Sequence, residues 1–268
     1  MLNHNKFSSP SSRSAFSLVE LSIVLVILGL LVGGILSGRS LIRASELRAV
    51  GTEYGRWVTA THTFRDKYFG LPGDLATATM IWGKDNVKCT GDTGTTTVPG
   101  TCNGNGNGNI NFNSATTGDT GEMFQYWKQL ALAGLIEGTY TGVNGGDADT
   151  VIIGTNGPMS KVNQAGWAAV HGTGVVALGV SYFSVSYASN LLLFGQATAN
   201  DIPATAAIAP EEAWNIDTKM DDGKPGRGRI IGARWSTCTN ASGNTDIDTT
   251  YKLTDPSIAC TLVFFPQF

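Results

Sequence analysis

The sequence has little charge and almost no histidine. Only 15% of its residues are charged and the net charge is −3, so no nucleic-acid partner is expected. The three histidines are His4, His62 and His171. None stands in a catalytic motif, and the chain contains no Walker loop, no HExxH and no GxSxG. These absences argue against an enzyme. The four cysteines, Cys89, Cys102, Cys238 and Cys260, form no CxxC pair, which removes the usual zinc and thioredoxin spacings. Glycine, by contrast, is plentiful. There are 34, where average usage would give about 19 for this length, and the excess points to many turns and loops.

One segment stands apart from this pattern. Residues 1–15 are polar, carry Lys6 and Arg13, and contain no acid. From Phe16 to Leu36 run 21 residues whose only charge is Glu20. A helix of that length spans about 30 Å, the hydrocarbon thickness of a bilayer. Arg39, Arg43 and Arg48 come after it. The run is long for the apolar core of a cleaved signal peptide, and no small-x-small cleavage site lies at its far end. A plain signal anchor would have no need of Glu20. A carboxylate inside a membrane segment is costly and points to function.

The stretch Ala15-Phe16-Ser17-Leu18-Val19-Glu20-Leu21 resembles the class III leader junction of type IV prepilins and type II secretion pseudopilins. The resemblance implies cleavage by prepilin peptidase between Ala15 and Phe16, and methylation of the new amine on Phe16. Where that family usually has glycine before the cut, this chain has Ala15. Glu20 becomes the fifth residue of the mature chain, the position that in the family aligns subunits during assembly. Physics supports that role. A lone carboxylate in hydrocarbon is strongly destabilised, and the N-terminal ammonium of a neighbouring subunit supplies the opposite charge. The implied partners are prepilin peptidase, other pilin or pseudopilin subunits, an inner-membrane assembly platform, and membrane lipid before assembly. The implied location is the bacterial inner membrane, single pass with the head outside the cytoplasm, and then a periplasmic or surface filament.

Beyond Arg39 the apolar residues Leu47, Val50, Tyr54, Trp57, Thr61, Phe64 and Tyr68 recur in steps of three and four, one face of a helix. The breaker Gly70-Leu71-Pro72-Gly73 ends it. One helix over 16–68 is therefore expected, apolar all round in its first half and amphipathic in its second. Gly29, Gly33, Gly34 and Gly38 weaken its middle by about 1 kcal/mol each. They would permit local melting during assembly or close helix packing, and the sequence leaves both open.

The expected organisation is a leader at 1–15, a transmembrane half-helix at 16–36, an amphipathic half at 37–69 and a globular head at 70–268. An exported head with an even number of cysteines reads as two disulfides. Three pairings are open, and Cys89–Cys102 with Cys238–Cys260 closes the shortest loops. Residues 83–121, rich in Gly, Asn, Thr and Asp, read as a long surface loop. Residues 122–136 read as a second helix, capped by Asp119 or Thr120 and followed by Gly138. Strands are expected at 150–154, 167–171, 174–187, 190–195, 229–235 and 260–265. The fold class is α+β: a long pilin-like N-terminal helix packed on an antiparallel sheet. Short passages at 71–74 and 127–138 also resemble the heads of some larger pilin-like proteins.

Pro210-Glu211-Glu212 starts a further short helix. Asp217, Asp221 and Asp222 then cluster before Gly223. Oxygen-rich clusters suit calcium, and some pseudopilins hold a calcium in the head. The spacing is not that of an EF-hand, however, and turn chemistry alone accounts for Asp-Asp-Gly. The leading expectation is a structural subunit, minor rather than major. The alternative is a filament-tip adhesin or membrane-anchored binding protein that carries the same leader.

Overall fold

The computed structural model describes residues 17–85, 89, 99–111, 121–146, 149–172, 183, 188–199, 201–233 and 235–268. The chain divides into two units, 1–45 and 46–268. Helix α1 runs Leu18–Tyr68 and enters both. In the first unit its large apolar side chains are exposed, from Leu18 and Val19 to Leu41 and Ile42.

The second unit is α+β. Within it, the buried face of α1 is Val50, Glu53, Trp57, Ala60, Thr61 and Phe64, the expected helical spacing with Glu53 as an unexpected member. Among the described residues three more helices follow, α2 (Ala78–Trp82), α3 (Glu122–Leu132) and α4 (Pro210–Met220). The strands among the described residues are β1 (Ala165–His171), β2 (Asn190–Gln196), β3 (Ile230–Gly232) and β4 (Leu262–Phe264). They form one antiparallel sheet in the order β1-β2-β4-β3. The register sets Trp167 opposite Phe194 and Ile231 opposite Val263. Residues 165–170 and 190–195 are buried throughout, because the sheet is covered on both faces.

Aromatic contacts join α1 to the elements it packs on. Tyr54 stacks on Phe264 with ring centroids 4.8 Å apart, and Trp57 meets Trp127 of α3 edge-on at 5.4 Å. The Tyr126 hydroxyl donates to Thr61 Oγ1 at 2.5 Å, and Thr61 Oγ1 donates to the Trp57 carbonyl at 2.9 Å. Aromatic pairs of this kind contribute directional preference beyond their buried area.

The expected elements need three corrections. First, residues 150–154 form no strand. Gly154 turns at φ 84°, and Asn156 supplies the hydrogen bonds a neighbouring strand would have given. Its Oδ1 accepts the Ile152 N–H at 2.7 Å, and its Nδ2 donates to the Thr150 and Val143 carbonyls, each at 3.0 Å. Second, α3 stops at Leu132 rather than Ile136. Gly134 adopts φ 70°, while the Leu135 N–H donates to the Leu130 carbonyl at 3.0 Å and the Gly134 N–H to Ala131 at 2.9 Å. That closure is a Schellman motif, with Leu135 as its apolar partner. Third, the residue before α3 is Gly121, with no side-chain cap. Asp119, Thr120 and, apart from buried Phe183, the expected strand at 174–187 lie outside the described residues. Helix α2 has no counterpart among the expected elements, being only five residues long.

Candidate functional site

The sequence places its sharpest site at the start of α1. Ala15 and Phe16 lie outside the described residues. Glu20 lies in the first turn, where its Oε2 accepts the Ser17 backbone N–H at 2.8 Å. Ser17 Oγ accepts the Val19 N–H at 3.3 Å. Ser-x-x-Glu with these bonds is a helix-capping arrangement, so Glu20 also helps to start the helix. Around it Leu18, Val19, Leu21, Ile23 and Val24 are all exposed. An apolar surface this continuous calls for lipid or another protein. By length and composition α1 suffices to cross a membrane. A side chain added at Gly29, Gly33, Gly34 or Gly38 would meet nothing within 4 Å, so no contact within this chain requires them to be glycine.

In the head, Cys89 is joined to Cys102 with Cα atoms 5.3 Å apart, and Cys238 to Cys260 at 5.1 Å. Both links join near neighbours in sequence. The first lies beside α3, whose buried Gln125 and Gln129 hold the loop. Gln125 Oε1 accepts from Thr101 Oγ1 at 2.8 Å and from the Cys102 N–H at 3.2 Å. Gln129 Nε2 donates to the Cys102 carbonyl at 3.0 Å, and its Oε1 accepts the Gly73 N–H at 2.7 Å.

The Asp217, Asp221 and Asp222 carboxylates bring one oxygen each within 4.8 Å of the others. Protein donors already engage them. Asp217 Oδ1 accepts the Gly223 N–H at 3.1 Å and its Oδ2 the Tyr251 hydroxyl at 2.8 Å. Asp221 Oδ2 accepts the Arg229 N–H and, at 3.0 Å, that of Ile230. Asp222 accepts the Lys224 N–H at 2.9 Å and Arg227 Nε at 3.1 Å. Burial pushes the Asp217 carboxyl up to about 7, and the charges of Asp221 and Asp222 act in the same direction, against the Tyr251 and Gly223 hydrogen bonds. Turn and cap chemistry accounts for these acids.

Two carboxylates to which the sequence assigned no role, Glu53 and Asp74, organise the head. Glu53, buried on α1, accepts the Lys161 N–H and the Trp167 Nε1–H, each at 2.8 Å. It ties the helix to β1. Only its place among the apolar positions of the helix face hints at this. Asp74, in the Leu71-Pro72-Gly73-Asp74 turn, is buried under the Asn-Gly repeat. Its Oδ1 accepts the N–H groups of Gly106 at 2.7 Å and Asn107 at 3.1 Å, and its Oδ2 that of Gly108 at 2.7 Å. Glu122 accepts from Asn105 at 2.9 Å and Asn111 at 2.8 Å. Burial raises the Glu122 carboxyl above its ordinary range, the nearby Asp74 adds to this, and the two N–H groups pull against it. Gly73 and Gly104 permit the approach. Gly73 sits at φ 82°, and a side chain there would meet the Tyr126 nitrogen at 2.9 Å.

Residues 10–36 match the family model of the prokaryotic N-terminal methylation motif. No curated protein and no solved structure matches the chain. The leader is therefore of the class III prepilin type. It implies processing by prepilin peptidase and assembly with pilin subunits, and with the apolar helix it fits membrane anchoring followed by a filament. Subunits with such leaders are normally structural rather than enzymatic.

Proposed function

We propose that the chain is a structural subunit, a minor pilin or pseudopilin, of a type IV pilus or type II secretion filament. The observation that carries the reading is the methylation motif at 10–36, within which Glu20 lies. In this reading, prepilin peptidase removes residues 1–15 and methylates Phe16. The segment 16–36 waits in the inner membrane with the head outside the cytoplasm. The segment 37–69 joins it to the head at 70–268. An inner-membrane platform then extracts the subunit into the filament.

Glu20 supplies selectivity for that step. Among the described residues, its carboxylate accepts the Ser17 N–H at 2.8 Å. In the filament it gains the methylated ammonium of a neighbouring Phe16, a charge-assisted bond in a low dielectric. The test is Glu20→Gln, which can keep the capping bond to Ser17 and removes the charge. Processed protein should accumulate in the membrane while sheared surface filament falls. Assembly at wild-type level would show that packing alone drives entry.

A further inference from the structure

The Asn-Gly repeat carries chemistry that the assembly role does not use. In an Asn-Gly pair the glycine nitrogen can attack the asparagine Cγ. The new N–C bond closes a succinimide, the carboxamide C–N bond breaks, and the glycine N–H proton leaves with it as ammonia. Water then opens the ring to aspartate or isoaspartate, so the sum is amide plus water giving acid plus ammonia. Glycine favours this because no Cβ hinders the approach. The chain has five such pairs, at Asn103, Asn105, Asn107, Asn144 and Asn156. Asn144 and Asn156 are buried, whereas Asn105, Gly106, Asn107 and Gly108 are exposed to water.

We propose that Asn105-Gly106 and Asn107-Gly108 are latent deamidation sites held shut by Asp74. Each attacking nitrogen is fixed on that one residue. The Gly106 N–H donates to Asp74 Oδ1 at 2.7 Å and to the Asp74 carbonyl at 2.9 Å, and the Gly108 N–H donates to Asp74 Oδ2 at 2.7 Å. The carboxamides are fixed as well. Asn105 Oδ1 accepts the Asn107 N–H at 2.9 Å, and Asn107 Oδ1 that of Asn109 at 2.8 Å. Ring closure needs the asparagine backbone to rotate until the nitrogen meets its own Cγ, and that rotation breaks the Asp74 bonds. Exposure therefore supplies the water, and the hydrogen-bonded cradle withholds the geometry. Asn103-Gly104 is an internal control, because its nitrogen donates to the Leu75 carbonyl at 3.1 Å instead and its Oδ1 accepts the Thr79 N–H at 2.8 Å. Once formed, isoaspartate lengthens the backbone by one methylene, so reclosure on Asp74 is lost and the change is one-way.

The experiment is peptide mass spectrometry of the full chain in detergent, aged in mildly alkaline buffer, folded and in denaturant. Folded wild-type protein should deamidate at Asn105 and Asn107 at least about tenfold more slowly than the denatured chain, the scale of a lost hydrogen bond to a charged group. Asp74→Ala should remove most of that difference at these two positions, while Asn103, Asn144 and Asn156 stay slow. Asp74→Asn, with one acceptor oxygen left, should release at least one of the two. Folded wild-type protein ageing at the denatured rate would overturn the proposal. So would Asp74 variants that remain folded and age as wild type does. If Asp74→Ala also opens Asn144 and Asn156, it has unfolded, and Asp74→Asn then decides between these outcomes.

Discussion

Replacing Glu53 by alanine tests how the long helix is held in the head. The change removes the acceptor of two N–H groups, the Lys161 backbone and Trp167 Nε1, each at 2.8 Å. Trp167 is wholly buried, so its indole N–H is left without a partner and costs about 1–3 kcal/mol. Lys161 is exposed, and its amide can turn to water, which places its loss near 1 kcal/mol or less. Alanine returns a few tenths of a kcal/mol in helix propensity. The expected destabilisation is about 2–3 kcal/mol. Glu53→Gln keeps one oxygen and should cost roughly half as much, because its amide must face one of two donors. The assay is urea unfolding of the full chain in detergent, followed by tryptophan fluorescence. All six tryptophans lie between residues 57 and 235, so the signal reads the unit 46–268. In a Trp167→Phe background the cost of Glu53→Ala should fall by about 1–2 kcal/mol, the coupling of a contacting pair. A Glu53→Ala midpoint within error of wild type would refute this account of how α1 is held.

Three further outcomes are expected. The Asp217 carboxyl moves from 3.8 to about 7 on folding, so the folded state binds the extra proton. Its contribution to stability is complete below about pH 4 and is lost as pH rises through 7, by at most about 4 kcal/mol; unfolding of Asp217→Asn across that range should lack this share of the slope. The Cys89–Cys102 and Cys238–Cys260 links lie 13 and 22 residues apart in sequence, and chain entropy gives each about 3 kcal/mol. Free-thiol labelling of unreduced, denatured protein should find none, and four reactive thiols would contradict it. Gly73→Ala should destabilise the head by more than about 1 kcal/mol, since its φ of 82° is strained for a side chain; an unchanged melting temperature would contradict the close approach to α3.

Much of this architecture is legible in the sequence because it rests on periodicity. The spacing Val50-Trp57-Thr61-Phe64 marks the buried face of α1, and apolar runs locate β1, β2, β3 and β4. The features that escape depend on single side chains that replace backbone partners. Asn156 takes the place of a strand beside 150–154, and no pattern of apolar residues announces that. Glu53 and Asp74 are acids by type and are invisible as anchors, because their partners are 108 and 32 residues or more away in sequence. The acid cluster at 217–222 is visible, but its hydrogen-bonded donors are not. At the N-terminus, Ser-x-x-Glu is readable as a cap, yet the apolar run around Glu20 makes it stand out only as an intramembrane charge.

The central claim is that this chain is cut between Ala15 and Phe16 and assembled through its N-terminal helix. The most direct measurement is the mass of the mature N-terminal peptide from cells that carry a prepilin peptidase. The account predicts a chain beginning at Phe16 with a methylated amine. An intact Met1, or a first residue beyond Leu36, would contradict it.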